Sequence, residues 1–390
     1  MNNRNTKYCR SNVQSRLFTW GLSSYRLITV LTALIIALSS VLTAGCAETA
    51  QSGEISGPSE AGGETRVFTD SAGRTVELPL VIDRVAPSGA YAQIMLYTLC
   101  PDKLIGLSSP FSRNQKEYIN EKYWDLPAFG QFYGKNATMN FEEIIKAAPD
   151  VIIDVGEEKD GIATDMDGIS EQTGIPVIFV KATLDTMADA YDTLGEALGV
   201  PERAAELSGY VRETLAFAED RRARISEDDR VRVLFGNGEY GLEVPGVGSV
   251  HAEALDVAGL ENVAVLDRVS GSGRDEVSIE QVMLWDPDAV IIAPDSCYSD
   301  IFDDPIWAGI GAVQRKEVYE IPLGPYSWLD RPPSVQRVLG VLWLGNLFYP
   351  ELYNVDMIAE TQRFYSLFWG YELTEDEARA LLANSTLKRV

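Results

Sequence analysis

The chain carries one short passage twice, and the duplication limits its possible folds more than any other feature. The first copy runs Asn140-Phe-Glu-Glu-Ile-Ile-Lys-Ala-Ala-Pro149-Asp-Val-Ile-Ile153, the second Ser278-Ile-Glu-Gln-Val-Met-Leu-Trp-Asp-Pro287-Asp-Ala-Val-Ile-Ile292. In each, an Asn or Ser with Glu or Gln three residues on reads as a capping box that opens a helix. The residue before a proline is biased out of the helical region, so each helix is expected to stop at Pro149 or Pro287. The chain then turns at Asp150 or Asp288 and enters an apolar strand. Helix, turn and buried strand make one α/β unit, and two units imply two similar lobes. Clefts between lobes are where small ligands usually bind.

The remaining pattern extends this architecture. A hairpin is expected over Val67 to Leu78 with Ser-Ala-Gly as its turn. Strands at Val85, Leu104 to Leu107, Val151 to Val155 and Val177 to Val180 alternate with helical stretches, the signature of a helix-flanked parallel sheet. Ala204, Leu207, Val211, Leu215 and Ala218 hold roughly helical spacing after Pro201, so one long helix at 201–226 is expected to join a first lobe (65–200) to a second (227–390) and to stiffen the hinge. The second lobe supplies strands at Val231 to Phe235, Ala289 to Ala293 and Val318 to Ile321 and a helix from Ser334 to Tyr349. The expected fold class is therefore α/β: two lobes with central, mainly parallel sheets, joined by a long rigid helix, with the ligand cleft between them.

Residues 1–45 contain Arg4, Lys7, Arg10, Arg16 and Arg26 and no acid, then the apolar run Leu27 to Leu38 and the small-residue end Thr43-Ala-Gly45 before Cys46. This is the build of a secretion signal. Cysteine directly after Ala-Gly resembles a bacterial lipobox, which implies cleavage before Cys46 and acylation of its thiol; cleavage by an ordinary signal peptidase or an uncut anchor are the alternatives. Residues 46–64 are mostly Ser, Gly, Glu and Ala and read as a flexible tether. Without the leader's five bases, 28 basic residues face 58 acidic ones, a net charge near −30, which argues against a nucleic-acid partner. Cys100 and Cys297 fall one in each lobe. Two free buried thiols are favoured over a disulfide that would lock the lobes.

Several chemistries are excluded. Gly236-Asn-Gly238-Glu-Tyr-Gly241 fits a dinucleotide fingerprint, yet Pro245, Gly246 and Gly248 forbid the helix such a loop must open, so it reads as a cleft loop. The one histidine, His251, cannot build a cage for free zinc or a similar metal and leaves most general-base schemes without a partner. It is expected to pack near a helix start. No cofactor or protein-held metal is expected, and the chain reads as a binding protein, not an enzyme.

The segment Pro325-Tyr326-Ser-Trp328-Leu-Asp330-Arg331-Pro-Pro-Ser334 lies between a strand and an apolar helix, at a strand's carboxyl end, where α/β proteins bind ligands. Tyr326 and Trp328 offer stacking faces and Arg331 a bidentate grip for an anion; the alternative is that Trp328 is core and Arg331 pairs with Asp330. Tyr133 in Phe129-Gly-Gln-Phe-Tyr133-Gly134, Tyr91 near the first helix start and Tyr240 in the glycine loop are further candidate ligand contacts. Glu142 and Glu280 hold the same second position in their helices. Acids there are favoured by the helix dipole; two exposed carboxylates, one per lobe, also suit two basic sockets on a symmetric membrane partner.

From about Val67 to Tyr371 the chain resembles the periplasmic-binding proteins of the iron-siderophore and vitamin B12 class, the substrate receptors of ABC importers. The resemblance rests on the lipobox, both Glu-to-Pro-Asp-strand copies, the linking helix, the Trp328-x-Asp-Arg-Pro-Pro-Ser334 core and the tail Phe364-Tyr-Ser-Leu-Phe-Trp-Gly-Tyr-Glu-Leu-Thr374. It implies a class III periplasmic-binding-protein fold and a monomeric, lipid-anchored receptor on the extracytoplasmic face. It also implies capture of a metal chelate, a ferric siderophore above all, for an ABC permease dimer with a cytoplasmic ATPase. In the family, glutamates at the positions of Glu142 and Glu280 dock onto permease arginines. Cobalamin, haem or a small oxyanion such as molybdate are the alternative ligands, and an exported enzyme or adhesive module on the same fold is the alternative from another class.

Overall fold

The structure, a computed structural model, describes residues 64–133, 137–294 and 296–385. The leader, Cys46 and all of the 46–64 tether except Glu64 lie outside the described residues. Two parallel sheets organise the rest. The first has Val151–Gly156 at its centre, between Val85–Pro87 and Val177–Lys181. The second runs Val318–Glu320, Ala289–Ile292, Arg232–Gly236, Glu261–Asn262. Their central strands are buried along almost their whole length, which is why they read as near-continuous apolar runs, interrupted by Asp154, instead of alternating ones. The N-terminal hairpin, Thr65–Thr69 against Thr75–Pro79, alternates as expected. Asp70 fastens it to the first sheet, its Oδ2 accepting from the N–H of Phe179 at 3.1 Å.

The repeated passage folds the same way twice, in more detail than its spelling announces. Asn140 and Ser278 cap the helices Phe141–Ala147 and Ile279–Trp285, each accepting at 3.2 Å from the backbone three residues on. The N-cap half of the expected box is what forms; Glu143 faces Lys146 at 3.8 Å instead of returning to the cap. The helices end before their prolines, at Ala148 (φ 48°) and Asp286 (φ 44°), both left-handed, because the residue before proline is excluded from the right-handed region. An arginine at the head of the neighbouring strand closes each end: Arg84 donates to the carbonyls of Ala147 and Ala148, Arg232 to those of Trp285 and Asp286. Asp150 and Asp288 then accept from the N–H groups of Arg84 and Arg232 at 2.9 and 3.0 Å.

Elsewhere the chain departs from expectation at one strand. Leu104 to Leu107 makes only isolated bridges, Leu104 with Val85 and Leu107 with Ala128. The Phe129 ring occupies the space a side chain on Gly106 would need, so the segment divides its pairing between two neighbours. The long helix forms over Pro201–Arg222. Cys100 and Cys297 are free and buried; burial pushes the Cys100 thiol up to about 12, far from thiolate reactivity.

The largest buried cluster belongs to neither sheet alone. It contains residues of Ala90–Leu99, Met187–Leu198 and Pro201–Arg222 together with Gln336–Phe348 and Met357–Phe364. The Tyr97 ring stacks on Trp369 at 5.7 Å, and Tyr210 meets Phe364 and Phe368 edge-on. Gly340 permits part of this packing, since a Cβ there would stand 2.2 Å from the Trp328 carbonyl oxygen.

Candidate functional site

The carboxyl ends of the first sheet's strands face a cavity of about 290 Å³ whose far wall comes from the second lobe. From the first lobe it takes Ser88 and Tyr91 after strand Val85–Pro87, the end of the central strand and the turn after it (Asp154, Val155, Gly156, Glu157 and Lys159), and Gln131 and Tyr133. From the second it takes Val250, His251, Gly271, Pro332 and Pro333. A larger cavity of about 470 Å³ lies under the C-terminal helix Glu375–Leu381. Two of its three carboxylates, Glu320 and Glu377, are occupied by Asn384 and by Thr374 with Tyr371, leaving Glu117; the inter-lobe cleft, walled by strand ends and by both lobes, is the stronger site.

Of the titratable groups that line the cleft, Asp154, Tyr133, Lys159 and His251 have visible partners; Glu157 lines it as well. Asp154 is buried and accepts from the Ser88 hydroxyl. Burial raises its pKa above the ordinary carboxylate value, Ser88 and the nearby Lys159 charge pull the other way, and Asp165 adds to the rise. Tyr133 donates to Asp165 at 2.6 Å, and the Lys159 ammonium stands 4.4 Å from its ring centroid. Burial, then the bond to Asp165, raises the phenol, so it stays a neutral donor with a polarised face for a cation or flat ligand. The His251 Nδ1 is bonded to Asp330, whose carboxylate also takes the N–H of Arg331 at 2.7 Å. A carboxylate on one ring nitrogen fixes both the tautomer and the orientation of an imidazole.

Behind Tyr91 a polar strut crosses from lobe to lobe. Arg337, wholly buried, donates to Glu253 at 2.7 Å and to the Val250 carbonyl at 3.0 Å, and its other Nη lies 3.5 Å from the Tyr91 hydroxyl. Glu253 in turn accepts from the N–H of Leu184, just past the first sheet's edge strand, at 3.1 Å.

Of the aromatic and basic candidates, the structure brings Tyr91 and Tyr133 to the cleft wall and leaves four outside it. Trp328 is 0% exposed and Tyr326 is buried against Trp369 at 5.7 Å, so neither offers a stacking face. The strand-end segment lays its large apolar rings inward, where they bury most area, and turns Pro332 and Pro333 outward. Arg331, with a left-handed φ of 63°, keeps a side chain 30% exposed beside this wall; its Nε is 3.4 Å from Asn237 Oδ1 and an Nη 3.3 Å from Asp330. Burial lowers its pKa. Tyr240 is 58% exposed and contributes its carbonyl to Trp307. The glycine loop is a tight antiparallel turn, Asn237 and Glu243 exchanging both backbone bonds, which confirms that it opens no helix. Glu142 and Glu280 are both exposed.

Sequence reasoning missed His251 as a wall residue, along with Lys159, Asp154, Gln131 and Ser88. Strand-end position was an available signal for Ser88 and Asp154; nothing local pairs His251 with Asp330, 79 residues away. Among the described residues no group of three or more His, Cys, Asp or Glu could hold a metal ion.

The description "periplasmic binding protein" belongs to the family model that matches residues 103–323. No curated protein matches. Among solved structures, an ABC transporter solute binding protein from Sulfurospirillum deleyianum is 31% identical (TM-score 0.75), covering 82% of this chain and 99% of its own. A periplasmic solute binding protein from Veillonella parvula is 27% identical (TM-score 0.69), covering 84% and 100%. The molybdate periplasmic binding protein of a Haemophilus influenzae ABC transporter, at 22% identity, TM-score 0.65 and coverage of 79% and 99%, shares the fold.

Proposed function

The chain belongs to the periplasmic binding protein family, and on that premise we propose that it is the receptor of an ABC importer for a compact anionic metal chelate, of which a small ferric siderophore is the leading candidate. The observation that carries this reading is the cleft itself: about 290 Å³ between two lobes, with Lys159, His251, Tyr91 and Tyr133 in its wall beside the acids Asp154 and Glu157, and with the Arg331 cation next to the Pro332 and Pro333 wall to add positive charge. Sites for drug-sized ligands run from about 300 to 1,000 Å³, so the cleft suits a small solute better than haem or cobalamin. Lys159 and Arg331 would hold the ligand's negative charge, Tyr91 and Tyr133 its flat or apolar parts. The metal is cargo held by its own chelator. The protein's task is to bind and release, with no bond made or broken. Cleft volume also favours a second reading, a bare oxyanion such as molybdate, which would rely on the cations and Gln131 and make little use of the tyrosines.

Glu142 and Glu280 would meet basic residues of the permease dimer, whose ATPase drives uptake, and acylated Cys46 would hold the receptor monomer at the membrane's extracytoplasmic face.

Titration calorimetry of the purified protein with a ferric hydroxamate, a ferric catecholate, haem, cobalamin and molybdate tests the ligand. One iron chelate is expected to saturate at 1:1, with affinity falling at least tenfold in Lys159→Ala and in Arg331→Ala. Saturation by molybdate alone would select the oxyanion reading. Preference for haem or cobalamin would overturn both.

A further inference from the structure

Resting on the receptor reading above, we propose that the docking surface on each lobe is a pair, an exposed carboxylate and an exposed apolar side chain one turn later. Its partner would be a two-fold symmetric membrane protein that presents, twice, a basic residue beside an apolar socket. The observation is the internal repeat read for exposure. In the first copy Ile144 is buried and Ile145 is 47% exposed; in the second Val282 is buried and Met283 is 48% exposed. Each exposed residue stands three places after its glutamate, Glu142 or Glu280, on the same helix face. Single exposed apolar residues are ordinary on any surface. The same exposure at the same place in both lobes, each time beside the one matched acid, is a pattern that chance surface chemistry does not require.

Neither member of the pair supplies the cap or the buried contact of its helix, although the glutamates suit the helix dipole and Glu280 also bonds its own N–H and the Ser278 side chain. Asn140 and Ser278 supply the N-caps, Arg84 and Arg232 close the C-terminal carbonyls, and Ile144 and Val282 supply the buried contact. What remains outward in both copies is the matched charge and an apolar surface beside it; the first copy also exposes Glu143 and Lys146, which pair with each other at 3.8 Å. An interface built this way takes orientation and encounter rate from the charges, and lasting affinity from a desolvated apolar centre. The two prongs differ in size. Lys146 follows Ile145, whereas Leu284, 80% exposed, follows Met283, so the second lobe carries the broader apolar contact. Two sites of the same design within one chain are met by a partner that itself repeats its site about a two-fold axis.

The test measures binding of the full protein to its permease and ATPase complex reconstituted in lipid vesicles, by interferometry over a range of salt. Ile145→Ser with Met283→Ser is expected to weaken binding at least tenfold while leaving its salt dependence unchanged. Glu142→Lys with Glu280→Lys is expected to weaken binding and change the salt dependence. Both double variants alter exposed positions, and an unchanged circular dichroism melt confirms that they fold. Binding within twofold of the parent for the serine variant, with loss for the lysine variant, would overturn the apolar half of the pair and leave acidic docking standing. Binding unchanged in both would overturn the docking surface altogether, and no binding by the parent would overturn the receptor reading beneath it.

Discussion

Asp154 sits nearly out of water at the cleft wall with a serine hydroxyl as its bonded neighbour, and its raised pKa has a consequence for stability. Below the unfolded value, about 3.9 for an aspartate, folded and unfolded chains both carry the proton and burial of a charge costs nothing. As pH rises through that value the unfolded chain releases its proton first, so this group removes stability on the way to neutral pH. Asp154→Asn should therefore raise the thermal midpoint at pH 7 by a few degrees, and the gain should vanish below about pH 3.9; calorimetric melts across that range check it, and an equal gain at every pH would contradict it. A destabilising group retained in a cleft wall fits a binding role. Such roles were only partly legible at this scale. The types of Tyr91 and Tyr133 and their places near helix or strand ends marked them as candidates, but Trp328 has the same credentials and faces the core. Side-chain direction at a strand end is set by what packs around it: Trp328 joins the buried cluster that includes the helix Gln336–Phe348, and Gly340 lets that helix approach the Trp328 carbonyl.

Among the elements, the strut at Tyr91 decides how the lobes are held. Glu253 starts the helix Glu253–Val257 in the second lobe, bonds the Leu184 N–H of the first, and neutralises an Arg337 that has no exposed surface. Removing the acid leaves a buried cation short of its partner, a loss of about 3–5 kcal/mol in comparable pairs. Glu253→Ala should show that loss in urea unfolding, and Glu253→Gln, which keeps an acceptor for Leu184 and Arg337, a smaller one; equal effects would mean that charge is not what the site requires. The duplicated helices, by contrast, were readable beforehand, because caps, apolar pairs and proline stops act within a few residues. The misread strand at Leu104 to Leu107 depends on Phe129, whose ring claims the space above Gly106.

Across the whole molecule, the largest core joins helices of the first lobe to helices beyond residue 335. Lobes fused by a common core are expected to melt as one unit. Scanning calorimetry should show a single transition with calorimetric and van't Hoff enthalpies in agreement, and two resolved transitions would refute the shared core. This arrangement also sets the cleft's width, since lobes joined through packed helices close by small movements. The sequence by itself determined two α/β units, their parallel sheets, the long helix and the paired surface glutamates, because periodicity, capping and proline geometry are local and survive in any tertiary context. The tertiary structure alone decided which rings line the cleft, that His251 meets Asp330, and that Arg337 and Glu253 bridge the lobes, because those contacts join residues about 70 or more positions apart and exist only once two separately built surfaces have been brought face to face.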